Sequence, residues 1–310
     1  LRDGSISMDD TVKVSKKAWK THGSRMFLEV GDTVPLKRIL KGIVVESGND
    51  ACVALAEHVA GSEKAFVQLM NMHARELGMD HTHFVNATGL PPKKKGEKMM
   101  STARDMAHLA AALLRKFPEH YDLFSIRKMS YNDITQYNRN RLLWWDDSVD
   151  GMKTGHTERA GYALVSSADR KGMRLISVVM GTDSERARAE ESQSLLNYGF
   201  RFYRTYKLYN AGDSLHKVRV WKGANDHVAV SLPEDLYLTI PRGQRDQLDV
   251  KLDFKGPLMA PVAKGTPVGH LTAKLGDKTV ATRPLTTLQT VPEGGFFRRV
   301  IDSFRVWLTE

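Results

Sequence analysis

The spacing of apolar positions changes along the chain, and each change marks an element. Leu36, Ile39, Leu40, Ile43 and Val44 fall on one face at helical spacing, predicting a helix that Pro35 opens and Ser47-Gly48 stops. A second helix follows at once, with Asn49 or Asp50 as its cap and Ala51 to Ala60 as its body. Ser62 caps a third, whose apolar stripe is Phe66, Leu69, Met70, His73 and Leu77 up to Gly78. Ser101 caps a fourth over Thr102 to Lys116, with Met106, Leu109, Ala110, Leu113 and Leu114 facing inward and Pro118 ending it. Ahead of these, residues 1–34 read as short strands and turns. There Val12 and Val14 alternate with polar neighbours, and Met26-Phe27-Leu28 precedes the turn Gly31-Asp32.

Farther on the helical spacing gives way to apolar runs of strand length. Gly161 to Ala168 and Met173 to Gly181 are β-branched-rich runs joined by Arg170-Lys171-Gly172, the pattern of an antiparallel hairpin. Ser184 to Asn197 then reads as a polar amphipathic helix ending at Gly199. An antiparallel sheet with helices around it is an α+β arrangement, assigned to residues 1–203. From Val218 to Leu288 only short alternating segments remain, punctuated by Gly and Pro: Val218 to Trp221, Val228 to Val230, Leu236 to Leu238, Val250 to Phe254 and Val280 to Leu288. Residues 204–290 therefore form a small all-β domain of sandwich type. Residues 291–310 close the chain. Phe297, Val300, Ile301, Phe304, Trp307 and Leu308 lie on one helical face, with Arg298, Arg299 and Arg305 elsewhere.

The chain of 310 residues is long enough for two domains, and 41% hydrophobic with 26% charged residues is ordinary for a globular protein. A net charge of +10 favours an anionic partner, although solubility alone accounts for such a surplus equally well. No nucleic-acid-binding motif accompanies it, so a nucleic-acid partner is not expected. A single cysteine, Cys52, excludes an internal disulfide. The terminal helix is too short to span ~30 Å of hydrocarbon. A Phe- and Trp-rich face flanked by arginines suits a helix lying on an anionic membrane surface through 296–310, a reading the net positive charge supports, and the alternative is a helix docked on the domain's own core or on a partner chain. The first residues, Leu1-Arg2-Asp3, carry no methionine and read as an internal start.

Candidate chemistry gathers in two short runs. Lys153-Thr154-Gly155 on an edge strand offers a fixed cation, a hydroxyl donor, and a residue without a Cβ beside which an extended peptide can lie. Ser47-Gly48-Asn49 sits in the tight link between the first two helices, where short side chains either project into a cleft or serve only as caps. His81 and His83 form a His-x-His pair with no third ligand at a diagnostic spacing, so neither a metal nor another cofactor is expected. The lysine run Lys93-Lys94-Lys95 reads as a solvated loop.

Taken together, Ser47-Gly48-Asn49-Asp50-Ala51-Cys52, Ser101-Thr102-Ala103-Arg104-Asp105-Met106, Asn138-Arg139-Asn140, Val149 to Thr157 and Arg174 to Val179 resemble the low-molecular-weight penicillin-binding proteins, the D-alanyl-D-alanine carboxypeptidases. Thr239 to Gly243 and Pro292 to Phe297 extend the likeness to essentially the whole chain. The resemblance implies a β-lactamase/transpeptidase-like sheet with flanking helices. It also implies removal of the terminal D-alanine from peptidoglycan pentapeptide stems through an acyl-serine, inhibition by β-lactams, and a periplasmic site on the inner membrane. Carried over by position, Ser47 relays protons, Asn49 binds the substrate amide, and Lys153 supplies positive potential and holds Ser47. Thr154 binds the terminal carboxylate, Gly155 and His156 form the strand edge, and Arg188 is a further carboxylate partner.

The family's Ser-x-x-Lys is expected ahead of Ser47. Ser5, Ser7, Ser15 and Ser24 have no Lys three residues on, and Ser-x-x-Lys occurs only at Ser125…Lys128 and Ser214…Lys217. The expectation is a chain lacking the nucleophile's segment and unable to acylate. The rival readings are a β-lactamase-like hydrolase, which needs a deacylating base on a loop, and a non-catalytic wall-binding or scaffold protein.

Overall fold

The computed structural model describes residues 1–92 and 94–307, so Lys93 of the lysine run and Leu308 of the terminal apolar face lie outside the described residues. The chain divides into two compact units, Leu1–Phe200 and Arg201–Glu310.

The first unit begins with β1 (Thr11–Lys13), α1 (Lys16–Trp19) and β2 (Thr33–Pro35), followed by α2 (Leu36–Glu46), α3 (Asn49–Ala60), α4 (Glu63–Glu76) and α5 (Ala103–Lys116). β1 and β2 pair antiparallel, with Val12 opposite Val34. Val12, Leu36, Ile39, Val45, Ala51, Val53 and Met129 bury together, so the α2–α3 pair packs on the small strands. Ser47 ends α2 in the left-handed conformation, φ 55°, and Gly48 in turn caps α3. Met26 to Leu28, expected as strand, is an extended strap without a ladder. It is held instead by Asp50, whose carboxylate accepts from the Met26 and Leu28 amides at 2.8 and 3.1 Å. Gly42 lets the strap approach: a Cβ there would stand 2.9 Å from Met26 Cγ.

Three readings of helix ends and faces are corrected. Thr102, not Ser101, caps α5, accepting from the Asp105 amide at 3.1 Å, while Ser101 Oγ shares a hydrogen bond with Thr82. The α4 stripe is half-buried at best, with Leu69 and His73 exposed and only Ala74 fully covered. The helix expected to end at Gly199 continues through it.

After β3 (Lys128–Tyr131), β4 (Ile134–Tyr137) and α6 (Leu142–Trp145) comes the sheet that matters for chemistry: β5 (Val149–Thr157), β6 (Gly161–Arg170) and β7 (Met173–Thr182), antiparallel in that order. The β6–β7 link uses Lys171 and Gly172, both at positive φ as a two-residue hairpin turn requires. The last helix of the unit, α7 (Glu185–Phe202), packs so closely on β7 that a Cβ at Gly199 would stand 2.5 Å from Leu175 Cδ1. Ile176, the next residue, belongs with Ala110 of α5 and Met152 of β5 to another cluster. Successive strand residues face opposite ways, so α5 and α7 cover opposite faces of the sheet.

The second unit holds β8 (Tyr203–Tyr209), β9 (His216–Trp221), β10 (His227–Ser231), β11 (Leu236–Pro241), β12 (Leu248–Phe254), β13 (Leu258–Met259), β14 (Pro267–Leu275) and β15 (Lys278–Thr287). Six of these form one sheet in the order β12-β14-β15-β10-β9-β13, and β11 pairs with β8. Leu238 and Ile240 of the pair share one core with Val230, Leu271 and Leu285 of the sheet. The chain continues in α8 (Phe296–Trp307), tied down by buried Asp302, whose carboxylate accepts from the Lys222 amide at 2.7 Å. Phe297, Val300, Ile301 and Phe304 stay exposed. Among the described residues no helix is long and apolar enough to cross a membrane.

Candidate active site

The site is built where the α2–α3 link meets β5. Ser47 is thrown out of helical register by its left-handed backbone. Lys153 comes from β5 and donates from Nζ to Ser47 Oγ, and also to the Thr154 carbonyl at 3.0 Å. Lys153 lies inside β5, not at its start, opposite Val165 of β6. Among the described residues β5 pairs on one side only, so the edge beside Lys153-Thr154-Gly155 is open. The strand is fixed from below by Asn140, fully buried, which donates from Nδ2 to the Gly151 carbonyl at 3.0 Å.

Asn49 stands at the start of α3, two residues after Ser47. Its Nδ2 donates to the His22 carbonyl at 2.9 Å and its amide to the Ser24 carbonyl at 2.8 Å. The side chain is therefore not a helix cap. It strengthens the strap that Asp50 also holds, and its Oδ1 makes no hydrogen bond among the described residues. Thr154 is buried, with no hydroxyl partner among the described residues. Gly155 and His156 are exposed, and His156 stacks on Tyr162 with ring centroids 4.0 Å apart. Arg188 is only 3% exposed, donating to the Gly155 carbonyl at 3.2 Å and the Arg139 carbonyl at 3.4 Å. The geometry thus joins Ser47 to Lys153 and Arg188 to the Gly155 carbonyl on the strand edge, while Asn49 bonds to the 22–24 segment and His156 stacks on Tyr162.

Electrostatics reinforces the grouping. Burial pushes Lys153 down to about 8, with the Arg139 and Arg188 charges adding to the fall. Burial likewise lowers Arg188 from its ordinary value. Three cations that disfavour one another make a site that gains by receiving an anion. Cys52, in the same neighbourhood, is pushed up to about 12 by burial, against the pull of Lys153, so it is an unreactive thiol.

Two residues of this neighbourhood escaped the sequence reading as site residues. Arg139 is exposed between buried Asn138 and Asn140, and its signal was a charged residue framed by two asparagines. Glu46 is 1% exposed, and neither carboxylate oxygen has a hydrogen-bond partner among the described residues. Burial and then the charge of Asp50 raise it to about 7, opposed by Arg139. Its signal was an acid in the last turn of a helix, where the backbone dipole disfavours it.

Among the described residues no hydrogen bond joins Ser47 or Lys153 to Ser125 or Lys128. Ser125 Oγ donates to the Asp122 carbonyl at 2.8 Å on an exposed turn, and Ser214 belongs to the second unit.

A strand edge with Lys-Thr-Gly, a serine and asparagine on a helix link and a group of three cations stand in the first unit, most of which the family comparison covers. Residues 1–184 match the D-alanyl-D-alanine carboxypeptidase family, and residues 203–293 match the C-terminal domain of penicillin-binding protein 5. The chain belongs to the D-alanyl-D-alanine carboxypeptidase family. It is 41% identical to D-alanyl-D-alanine carboxypeptidase DacA of Escherichia coli over 99% of this chain and 77% of that protein. It is 43% identical to DacC of the same organism over 97% of this chain and 76% of that protein. Among solved structures it is similar to penicillin binding protein 5 from Haemophilus influenzae, with TM-score 0.86 and 38% identity, covering 94% of this chain and 86% of that one.

Proposed function

We infer that these residues supply the substrate-binding site of a serine-type D-alanyl-D-alanine carboxypeptidase acting on peptidoglycan stems, and that the site lies within residues 1–203. The observation that carries the placement is the hydrogen bond from Lys153 to Ser47 beside the Arg139 and Arg188 cations. In this reading the free carboxylate of the terminal D-alanine enters the cation cluster and takes the Thr154 hydroxyl. The peptide lies antiparallel along the open edge of β5, where Gly155 offers no Cβ to obstruct it. Asn49 Oδ1 accepts from the amide before the scissile bond. When a nucleophilic serine hydroxyl attacks the scissile carbonyl and the C–N bond breaks, Ser47, held by Lys153, passes the proton lost by that hydroxyl to the departing D-alanine amine, and Lys153 provides the potential that favours ionised intermediates.

The acyl step itself needs an activated serine whose own backbone N–H helps to hold the oxyanion. These 310 residues carry no Ser-x-x-Lys ahead of Ser47. The reading is therefore that a polypeptide of these residues binds the substrate end and β-lactams without forming an acyl-enzyme. Incubation with a fluorescent penicillin followed by intact-mass measurement tests it. No mass increase is expected, and an adduct mapped to Ser47, Ser125 or Ser214 contradicts it.

Peripheral membrane association belongs to the same reading. The exposed apolar face of α8 and the arginines beside it support a helix lying in an anionic interface, and in this reading the chain lies on the periplasmic face of the inner membrane.

A further inference from the structure

We propose that the groove adjoining Asn49 on the first unit binds the acidic part of the stem peptide, N-terminal to the D-alanyl-D-alanine end. This rests on the function inferred above and names a subsite for it. The groove has a volume of about 960 Å³, within the range of pockets that hold small ligands. It begins where the site ends. His22, whose carbonyl receives Asn49 Nδ2, lines it, as does Val53, one helical turn along α3 from Asn49. One turn of helix rises about 6 Å, so an extended peptide held at Asn49 reaches Val53 with about two further residues at about 3.3 Å each, and the proposal assigns these to the side N-terminal to the D-alanyl-D-alanine end.

Its floor is apolar and its rim is basic. Val53, Val67, Phe84, Val85 and Leu90 form the floor, and Lys17, Lys20, Lys64 and Lys94 stand around it. Lys17 is paired with Glu63 at 2.6 Å and Lys94 with Glu97 at 3.7 Å. Lys20 and Lys64 are exposed and have no carboxylate partner among the described residues. The wall is held rather than loose. Asn71 Nδ2 donates to the Phe84 carbonyl at 2.8 Å, and the Phe84 amide returns to Asn71 Oδ1 at 2.9 Å. Asn86 Oδ1 gathers the Gly89 amide at 2.8 Å, and Asn86 Nδ2 donates to the Leu90 carbonyl at 2.8 Å. Two unpaired lysines over a preformed aliphatic floor suit a peptide segment with a free side-chain-like carboxylate and methylene stems. Stem peptides offer this combination: a γ-linked glutamate leaves its α-carboxylate free, and the following diamino acid brings a methylene chain.

The test compares three probes by NMR titration of the whole chain at low salt: N-acetyl-D-Ala-D-Ala, the pentapeptide L-Ala-γ-D-Glu-L-Lys-D-Ala-D-Ala, and the same pentapeptide with the glutamate α-carboxylate amidated. The acidic pentapeptide should bind about fivefold tighter than its amide, the scale of two exposed ion pairs. The variant carrying Lys20→Ala and Lys64→Ala should lose that ratio and keep its affinity for the dipeptide. A ratio near one in the unaltered chain, or a ratio unchanged in the double variant, overturns the proposal. The dipeptide reads the carboxylate site alone. Its failure to bind counts against the function inferred above and leaves the pentapeptide ratio to decide the groove.

Discussion

Lys153 and Ser47, 106 positions apart in the sequence, share a hydrogen bond that closes β5 onto the link between α2 and α3. The contact is bought against burial, which disfavours the Lys153 charge and lowers it to about 8. A shift of that size corresponds to about 3 kcal/mol stored in the charged form at neutral pH. Lys153→Met keeps the length of the side chain and removes the charge. It is expected to raise unfolding stability by about 1–2 kcal/mol, once the lost hydrogen bond is set against the relieved desolvation. The same variant should bind an acyl-D-Ala-D-Ala ligand at least about tenfold more weakly. Chemical denaturation and ligand titration check the two halves.

The same lysine sets a pH dependence. Its folded value of about 8 lies below its ordinary 10.5, so the unfolded chain holds more protons between those limits. Stability relative to Lys153→Met should rise as pH climbs through that window. Ligand affinity should move the other way, falling as pH passes about 8, because the carboxylate loses one of its cations. Titrations at pH 7 and pH 9 measure it.

Glu46 behaves with the opposite sign. Raised from 4.5 to about 7, it keeps its proton in the folded chain where the unfolded chain has lost it. Its contribution to stability therefore falls as pH rises from about 4.5 to about 7, and the cost is fully present above that. Glu46→Gln keeps the shape without the charge and should be more stable than the unaltered chain at pH 8 by about 2–3 kcal/mol. At pH 4 the two should be nearly equal. Urea unfolding at both values checks it.

For α8 the expected outcome concerns surfaces. Phe297 and Phe304 are 81% and 68% exposed while Asp302 anchors the helix from its polar side. Replacing both with Ser, Phe297→Ser and Phe304→Ser, should cut binding to vesicles containing anionic lipid by tenfold or more, as about 3 kcal/mol of apolar burial is removed. The thermal unfolding midpoint should stay unchanged. Vesicle co-sedimentation gives the first number and circular dichroism the second.

Much of this was legible in the sequence, for identifiable reasons. The α2 pattern from Leu36 to Val44 buries Leu36, Ile39 and Val44, and the runs either side of Lys171-Gly172 pair as β6 and β7. β14 was missed because Gly269 and His270 interrupt its alternation, and at Gly269 the neighbouring backbone comes so close that a Cβ would overlap it. α7 ran past Gly199 because that glycine serves close packing on Leu175 rather than termination. Ser47, Asn49 and Lys153 were legible as a constellation of motifs. The strap from His22 to Leu28 was not, because its order comes from Asn49 and Asp50 more than 20 residues away rather than from local periodicity.

The central claim is that Ser47, Asn49 and Lys153 line one groove for the carboxylate end of a D-alanyl peptide. Backbone amide shifts of the isotopically labelled chain, followed as N-acetyl-D-Ala-D-Ala is added, test it most directly. The account predicts that the largest shifts fall at residues 47–50 and 153–156 and that Lys153→Met needs at least about tenfold more ligand to reach them. Saturable shifts centred elsewhere, or the same shifts at the same ligand concentrations in that variant, would contradict it.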